Sequence, residues 1–423
     1  MFYMLDIKFI REHVDEVKKN CLDRRTKVNI DELLSQDDKR RELLQQIEVF
    51  RANRNAGSKG KPSPDEIARM RALGEEMKTI EEELESVEGV YLDLLQQVPN
   101  MTHPDTPVGG EKDYRILHKN KEPILFSFSP KDHETLLTDA GLIDFERGAK
   151  VATSKFYFTQ GDLVRLNLAL IQYGIDIVTN HGYILIETPD VARNDILKGT
   201  GYNPRGDETN IYSIENTDLS LVATAEIPMG GYHANEILDL HSGPRRYAAL
   251  SHCFRTEAGG YGRTSKGLYR VHQFAKLEMF VYCRPEESET IHQELLAIEE
   301  EIVNGLDIPY QVIDIASGDL GGPAYRKFDI EAWMTMKGDT NKQGDYGEIT
   351  STSNCTDYQA RRLNIRYRQE NGETAYVHTL NGTAVVLSRF PIAIVENYQQ
   401  SDGNIRIPNV LQKYMGKEVM EKL

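Results

Sequence analysis

From Ile67 the apolar positions run Met70, Leu73, Met77, Ile80, Leu84, Val87, Tyr91, Leu94 and Val98. From Met70 onward the spacing alternates three and four, which is the seam of a coiled-coil helix. Pro64-Asp65-Glu66 supplies a helix start and Pro99-Asn100 a stop. Residues 31–55 carry a looser stripe of Leu33, Leu34, Leu43, Leu44, Ile47 and Phe50, and predict a second helix. The breaker cluster between them, residues 57–64, predicts an antiparallel hairpin with its turn there. At about 1.5 Å per residue, the longer helix gives an arm on the order of 45–50 Å long.

After a Pro- and Gly-rich stretch at 99–110 the pattern changes. Short strand candidates (183–187, 246–250) alternate with helical stretches (162–179, 286–303), which predicts an α+β domain rather than a βαβ repeat. Two further strand-like stretches, Phe254-Arg255-Thr256-Glu257 and residues 270–278, flank a glycine-rich loop. Alternation places Phe274, Lys276 and Glu278 on one face, and likewise Arg255 and Glu257. At roughly 3.3 Å per residue, Phe274 and Glu278 stand about 13 Å apart. That is about the separation of a purine from the side chain of an amino acid joined to it through a phosphate. An aromatic plate, an arginine and a carboxylate on one surface point to an aminoacyl-adenylate site; the plainer reading is two amphipathic strands of an ordinary sheet.

Composition narrows the class. A chain of 423 residues has room for two or three domains, and 39 % hydrophobic with 27 % charged residues suits a large polar surface. No stretch approaches the roughly 18 apolar residues of a membrane span. Residues 1–20 lack the apolar run of a signal peptide, so a cytoplasmic address is expected. Cys21, Cys253, Cys283 and Cys355 are too scattered for a disulfide framework or a four-thiolate zinc site. Adjacent His252 and Cys253 should face opposite ways on a strand, which argues against a metal site with His272.

Charge and the loops add a direction. The net charge of −16 argues against wholesale nucleic-acid binding, but residues 50–71 hold Arg51, Arg54, Lys59, Lys61, Arg69 and Arg71 against only Asp65 and Glu66. That cluster falls at the distal end of the arm. A basic tip on a long arm, ahead of a nucleotide-handling domain, favours reaching along a nucleic acid over a solvated helix surface. The loop at 258–267 lacks the Gly-Lys-Ser/Thr order of a P-loop, and no G-x-G-x-x-G follows a strand. A nucleotide must therefore be held by strand side chains.

The chain resembles the bacterial-type seryl-tRNA synthetases, a family of class II aminoacyl-tRNA synthetases, from Met4 to its C-terminal region. The hairpin from Arg255 to Glu278 is similar to the second motif of that class. Gly182-Tyr183-Ile184-Leu185-Ile186-Glu187-Thr188-Pro189 is similar to the first, which builds the family's dimer interface. Asn381-Gly382-Thr383-Ala384-Val385-Val386-Leu387-Ser388-Arg389 is similar to the third. Thr224-Ala225-Glu226, Glu348-Ile349-Thr350-Ser351 and the arm are shared as well.

This resemblance implies an N-terminal tRNA-binding domain (1–105) with an antiparallel helical coiled-coil arm (about 30–98). A class II antiparallel-sheet catalytic domain with flanking helices (106–423) would follow. It implies activation of L-serine with ATP to seryl-adenylate and transfer to the 3′ end of tRNA(Ser), with tRNA(Sec) as a further substrate where one exists, by a homodimer. The implied catalytic residues are Arg255, Arg389 and Glu348. Arg255 would contact the α-phosphate and the serine carboxylate, and Arg389 the γ-phosphate. Glu257 and the backbone at Val271 would hold adenine, with Phe274 stacked on it and Thr256, Ile349 and Thr350 completing the ATP site.

Glu348 and Ser351 would bind Mg²⁺. Thr224 and Glu226 would take the amino group, Glu278 and Thr383 the serine hydroxyl, and Ala225 and Asn381 would complete that pocket. Strict alternation puts Glu348 and Ser351 on opposite faces, so a shared ion requires a bulge or a strand end. Thr383 stands where the family often has serine, and its methyl group narrows the pocket. A ligase that loads a carrier protein, and a silent paralogue that only binds tRNA, remain the competing readings.

Overall fold

The computed structural model describes residues 5–57, 64–202, 210–257, 267–337 and 344–423, apart from the side chains at 54–57, 66 and 67. The chain forms two compact units, Met4–Met101 and Thr102–Leu423.

In the first unit, α1 (Ile7–Glu12) and α2 (Val14–Asp23) precede two long helices, α3 (Ile30–Gly57) and α4 (Pro64–Gln97), which pack along each other. Asp6 caps α1 by accepting the Lys8 N–H. The seam positions Met70 to Leu94 on α4, and Val98 just past its end, are buried or half-buried, while most residues between them are exposed. Leu33, Leu43 and Ile47 of α3 are buried to match. With 34 residues, α4 is about 50 Å long. Lys39–Glu83 (2.9 Å) and Arg40–Glu88 (3.0 Å) bridge the two helices. Among the described side chains of α3 one buried position is polar: Asp37, 2 % exposed, accepts from Arg11 Nε of α1 at 2.8 Å. The expected turn at 58–63 lies outside the described residues.

The second unit is built on one eight-stranded sheet: β1 (Arg115–Lys119), β2 (Ile184–Glu187), β3 (Arg245–Phe254), β4 (Gln273–Cys283), β5 (Tyr310–Asp314), β6 (Arg326–Met334), β7 (Asp345–Asn354) and β8 (His378–Val386). Their spatial order is β1-β5-β6-β7-β8-β4-β3-β2. Every pairing is antiparallel except that of the edge strand β2 with β3. A short helix, α5 (His133–Asp139), precedes the long α6 (Gly161–Asn180); α7 (Glu226–Gly231), α8 (Ser288–Gly305) and α9 (Phe390–Asn397) follow.

Strand β4 shows how the sheet divides its faces. Leu277, Met279, Val281 and Cys283 enter the main core, onto which α6 and α8 also pack. Gly174 lets α6 approach closely, since a Cβ there would come within 2.7 Å of Val385 Cγ2. On the alternate face Phe280 and Tyr282 join a second core with Ala225, Met229 and Tyr247. Glu278 and Lys276 continue that face past the edge of the core, where a cavity opens.

Two expectations about the strands are corrected. β3 ends at Phe254: Arg255 keeps one backbone bond across the hairpin, its N–H to His272 O at 2.9 Å, Thr256 turns to Asn210, and Glu257 has a left-handed φ of 50°. Alternation therefore does not govern how Arg255 and Glu257 point. Likewise β4 begins only at Gln273, after a 3₁₀ turn at Gly267–Tyr269. The glycine-rich stretch at 258–266 lies outside the described residues.

Candidate active site

The cavity of about 1260 Å³ lies within the second unit and is lined by Phe274, Lys276 and Glu278 of β4. Arg255, Glu257, Val271, Thr224, Glu226, Glu348, Ile349, Thr350, Ser351, Asn381, Thr383 and Arg389 line it too. Two expected site residues do not. The Thr256 N–H is tied to Asn210 O at 3.1 Å, and Ala225 is packed into the second core.

At one end the Arg255 guanidinium stands 5.2 Å from the centre of the Phe274 ring, and its Nε donates to Ala223 O at 3.3 Å. Arg270 Nη1 donates to Glu257 Oε2 at 3.3 Å. Arg389 Nη1 donates to Glu348 O at 2.9 Å, and its Cζ lies 3.8 Å from the centre of the Tyr269 ring. An aromatic face held against each arginine fixes a planar cation without consuming its hydrogen bonds.

Glu348 and Ser351 both face this cavity because β7 is bulged. Glu331 pairs with Glu348 and Ile330 with Thr350, which leaves Ile349 as an extra residue. One residue too many reverses the alternation, so carboxylate and hydroxyl emerge on the same side. Glu348 is exposed toward the cavity; desolvation by the surrounding protein acts to raise its pKa, but Arg389, Lys327, Arg255 and Arg270 outweigh it and hold the carboxyl below its ordinary range. Beside Ser351 on β6, Asp329 is raised to about 7, chiefly by burial, and its Oδ1 has no hydrogen-bond partner. This is a set of hard oxygen donors, including one orphaned oxygen, and it fits a small divalent cation.

At the other end Glu278 is 2 % exposed and forms an ion pair with Lys276. Thr383 lies directly across the strands, with its Oγ1 3.4 Å from Glu278 Oε2. A second bulge, at Ala384 of β8, follows immediately. Glu226, at the start of α7, accepts from Tyr202 OH at 2.9 Å and from Gln359 Nε2 at 2.7 Å. Burial and the neighbouring Glu278 charge raise its pKa, against the pull of those two donors. Thr224 Oγ1 accepts the Glu226 N–H at 3.3 Å, and Asn381 Nδ2 lies 4.0 Å from Cys355 Sγ. The pocket thus offers two carboxylates and two hydroxyls to a small polar zwitterion.

Sequence reasoning missed Lys276, Tyr202, Gln359, Tyr269 and Asp329 as parts of the site. Lys276 carried a usable signal, since it shares the strand face with Phe274 and Glu278. Tyr202 and Gln359 come from 24 residues before and 133 residues after Glu226, and no local spacing announces them. In the first unit, Arg51, Arg69 and Arg71 are exposed, with Arg51 3.5 Å from Glu81. The Arg54 side chain, Lys59 and Lys61 lie outside the described residues. Among the described residues no helix is long and apolar enough to cross a membrane.

Comparison with known proteins places both units. Residues 4–102 match the seryl-tRNA synthetase N-terminal domain, and residues 211–398 match the tRNA synthetase class II core domain (G, H, P, S and T). The serine–tRNA ligase of Treponema denticola is 50 % identical over 421 residues, covering 98 % of this chain and 99 % of that protein. The serine–tRNA ligase of Rubrobacter xylanophilus is 50 % identical over 425 residues, covering 99 % of each. Among solved structures, the seryl-tRNA synthetase of Pyrococcus horikoshii complexed with ATP superposes with a TM-score of 0.88 at 38 % identity. That match covers 99 % of this chain and 100 % of that one.

Proposed function

This chain belongs to the seryl-tRNA synthetase family of class II aminoacyl-tRNA ligases, and we propose that its cavity seats ATP at the Phe274 end and serine at the Glu278 end. The reaction is serine–tRNA ligation. The serine carboxylate attacks the α-phosphorus of ATP, the bond to the β-phosphate oxygen breaks, and seryl-adenylate and pyrophosphate form. A 3′-terminal ribose hydroxyl of tRNA(Ser) then attacks the acyl carbon and AMP leaves.

Arg255 stands beside Phe274, and its planar fork suits bidentate contact with both the α-phosphate and the serine carboxylate. Phe274 stacks on adenine beside Glu257 and Val271, and Arg389 neutralises the γ-phosphate. Glu348 and Ser351 would hold Mg²⁺, which when bound supplies further charge neutralisation to the phosphates. Glu226 receives the serine ammonium, while Glu278 and Thr383 receive the hydroxyl. Catalysis is then mostly positioning and electrostatics, and the side chains are held in place before substrate arrives.

The observation that carries this reading is the single face of β4, on which Phe274, Lys276 and Glu278 line one cavity opposite Thr383. The arm with its exposed Arg51, Arg69 and Arg71 suits tRNA backbone contact, which positions without reading sequence. Serine acceptance by tRNA(Sec) belongs to the same reading where that tRNA exists, as does a cytoplasmic location. A homodimer fits the edge strand β2, where Ile184 and Leu185 are 59 % and 44 % exposed, and the exposed Val164 and Leu168 of α6.

The test is ATP–pyrophosphate exchange with each of the twenty amino acids. Serine alone should support strong exchange. A chain lacking residues 31–98 should keep exchange and lose tRNA charging. Exchange with another amino acid, or equal loss of both activities, would overturn the assignment.

A further inference from the structure

Behind Arg389 lies a buried cluster that neither half-reaction uses. The Glu396 carboxylate of α9, 2 % exposed, gathers donors from two other segments. Its Oε1 accepts from the His133 N–H at 3.1 Å and from His133 Nδ1 at 2.8 Å. Its Oε2 accepts from the Met336 N–H at 3.2 Å and from Thr335 Oγ1 at 3.4 Å. His133, at the start of α5, is 6 % exposed, and its Nε2 accepts the Leu268 N–H at 3.2 Å. An Nε2 that accepts a backbone N–H has no proton, so the ring proton sits on Nδ1 and faces the carboxylate. Gly267, with φ at 59°, runs against the ring, and a Cβ there would come within 2.3 Å of His133 Nε2.

The next residue after Leu268 is Tyr269, whose ring lies in the cavity wall against Arg389. Lys337 Nζ stands 5.4 Å from the centre of the same ring. Lys337 directly follows Thr335 and Met336, which Glu396 holds. One carboxylate therefore anchors, through His133, the segment that carries Tyr269 and, directly, the segment that brings Lys337 to its ring, and it sits on the helix that begins directly after Arg389.

We propose that the His133–Glu396 pair is a positioning element for the ATP-dependent half-reaction, acting by setting Tyr269 against Arg389. The proposal rests on the reading of Arg389 as a phosphate ligand. Loss of the Leu268 anchor lets the Tyr269 ring drift and frees the guanidinium to rotate, while the serine pocket at Glu278 is left alone.

The test uses the full-length chain in ATP–pyrophosphate exchange, with KM for ATP and for serine measured separately. In His133→Asn the amide keeps a donor near Nδ1 and loses the acceptor at Nε2. His133→Gln puts an amide oxygen near Nε2 instead. His133→Asn should raise KM for ATP about three- to ten-fold, the worth of one hydrogen bond, with KM for serine within two-fold of wild type. His133→Gln should restore most of the loss, and Tyr269→Leu, a change in the cavity wall, should reproduce it. Equal effects of Asn and Gln, parallel rises in both KM values, or a silent Tyr269→Leu would overturn the proposal. Arg389→Ala separates the premises: if it leaves KM for ATP unchanged, the phosphate role of Arg389 fails; if it raises KM while His133→Asn does not, only the positioning role fails.

Discussion

Lys276 and Glu278, two residues apart on β4, meet as an ion pair that is buried at both ends. Removing one partner leaves the other charge uncompensated, which costs roughly 3–5 kcal/mol. Lys276→Met should therefore lower unfolding free energy by about that amount in denaturant titration. The double variant Lys276→Met/Glu278→Gln should recover most of it while remaining inactive with serine. A double variant as unstable as the single one would show that packing, and not charge, dominates the site.

The hydroxyl of serine should be what Glu278 reads. A site built to bond a hydroxyl can reject the analogue lacking it by about 10⁴–10⁵. Glu278→Ala should accordingly lose far more exchange activity with serine than with alanine. Threonine is the harder competitor, because excluding one methyl group contributes only about 1–3 kcal/mol. Steady-state kinetics with the three amino acids decides it.

Glu226 makes serine binding pH-dependent. Its carboxyl is raised by burial and by Glu278, so it protonates at a higher pH than an ordinary glutamate as the solution is acidified. The protonated form has no charge for the ammonium, so KM for serine should climb as pH falls toward that raised value. Above it, KM should be flat. Glu226→Gln should raise KM throughout and abolish the climb, which initial-rate measurements from pH 5 to 8 would detect.

How far the sequence leads depends on how local each feature is. The arm was legible from Met70 to Val98 because knobs-into-holes packing repeats every heptad and needs no distant information. Phe274 and Glu278 were legible because they sit inside a regular strand, and the same alternation put Lys276 on their face without giving it a role. Arg255 and Glu257 were assigned a shared face by the same rule; both do line the cavity, although β3 has ended and strand alternation is not what brings them there. The bulge was required by chemistry, but only strand pairing locates it at Ile349. Tyr202 and Gln359 reach Glu226 through tertiary folding alone.

Ile349 offers a direct test of the bulge. Deleting it should return β7 to regular alternation and turn Glu348 and Ser351 to opposite faces. Exchange activity should fall by at least two orders of magnitude, with the loss concentrated in Mg²⁺ dependence. Ile349→Val keeps the residue count and should retain activity. If the deletion and the valine variant behave alike, the bulge does not place the two ligands.

Glu299 of α8 supplies a stability test. It is fully buried, accepts from Thr350 Oγ1 at 2.7 Å, and burial raises its pKa well above the ordinary value. The folded state therefore holds a proton that the unfolded chain releases above its normal glutamate pKa. Its contribution is full below that pKa and is lost as pH rises toward the folded value. Glu299→Gln should remove this dependence, so Tm of the variant relative to wild type should be higher at pH 8 than at pH 5.

A heptad seam by itself is translationally degenerate, since sliding one helix by seven residues, about 10 Å, offers the same apolar contacts again. The ion pairs across the hairpin break that degeneracy. Lys39 of α3 meets Glu83 of α4 at 2.9 Å and Arg40 meets Glu88 at 3.0 Å, and a slip of one helix along the other parts both pairs. Arg40 also stands 3.9 Å from the buried Asp37, which Arg11 of α1 holds as well. The hairpin is in this sense a graduated rod: its register marks lie where those pairs cross, about 15–30 Å along the helices from the exposed Arg51, Arg69 and Arg71.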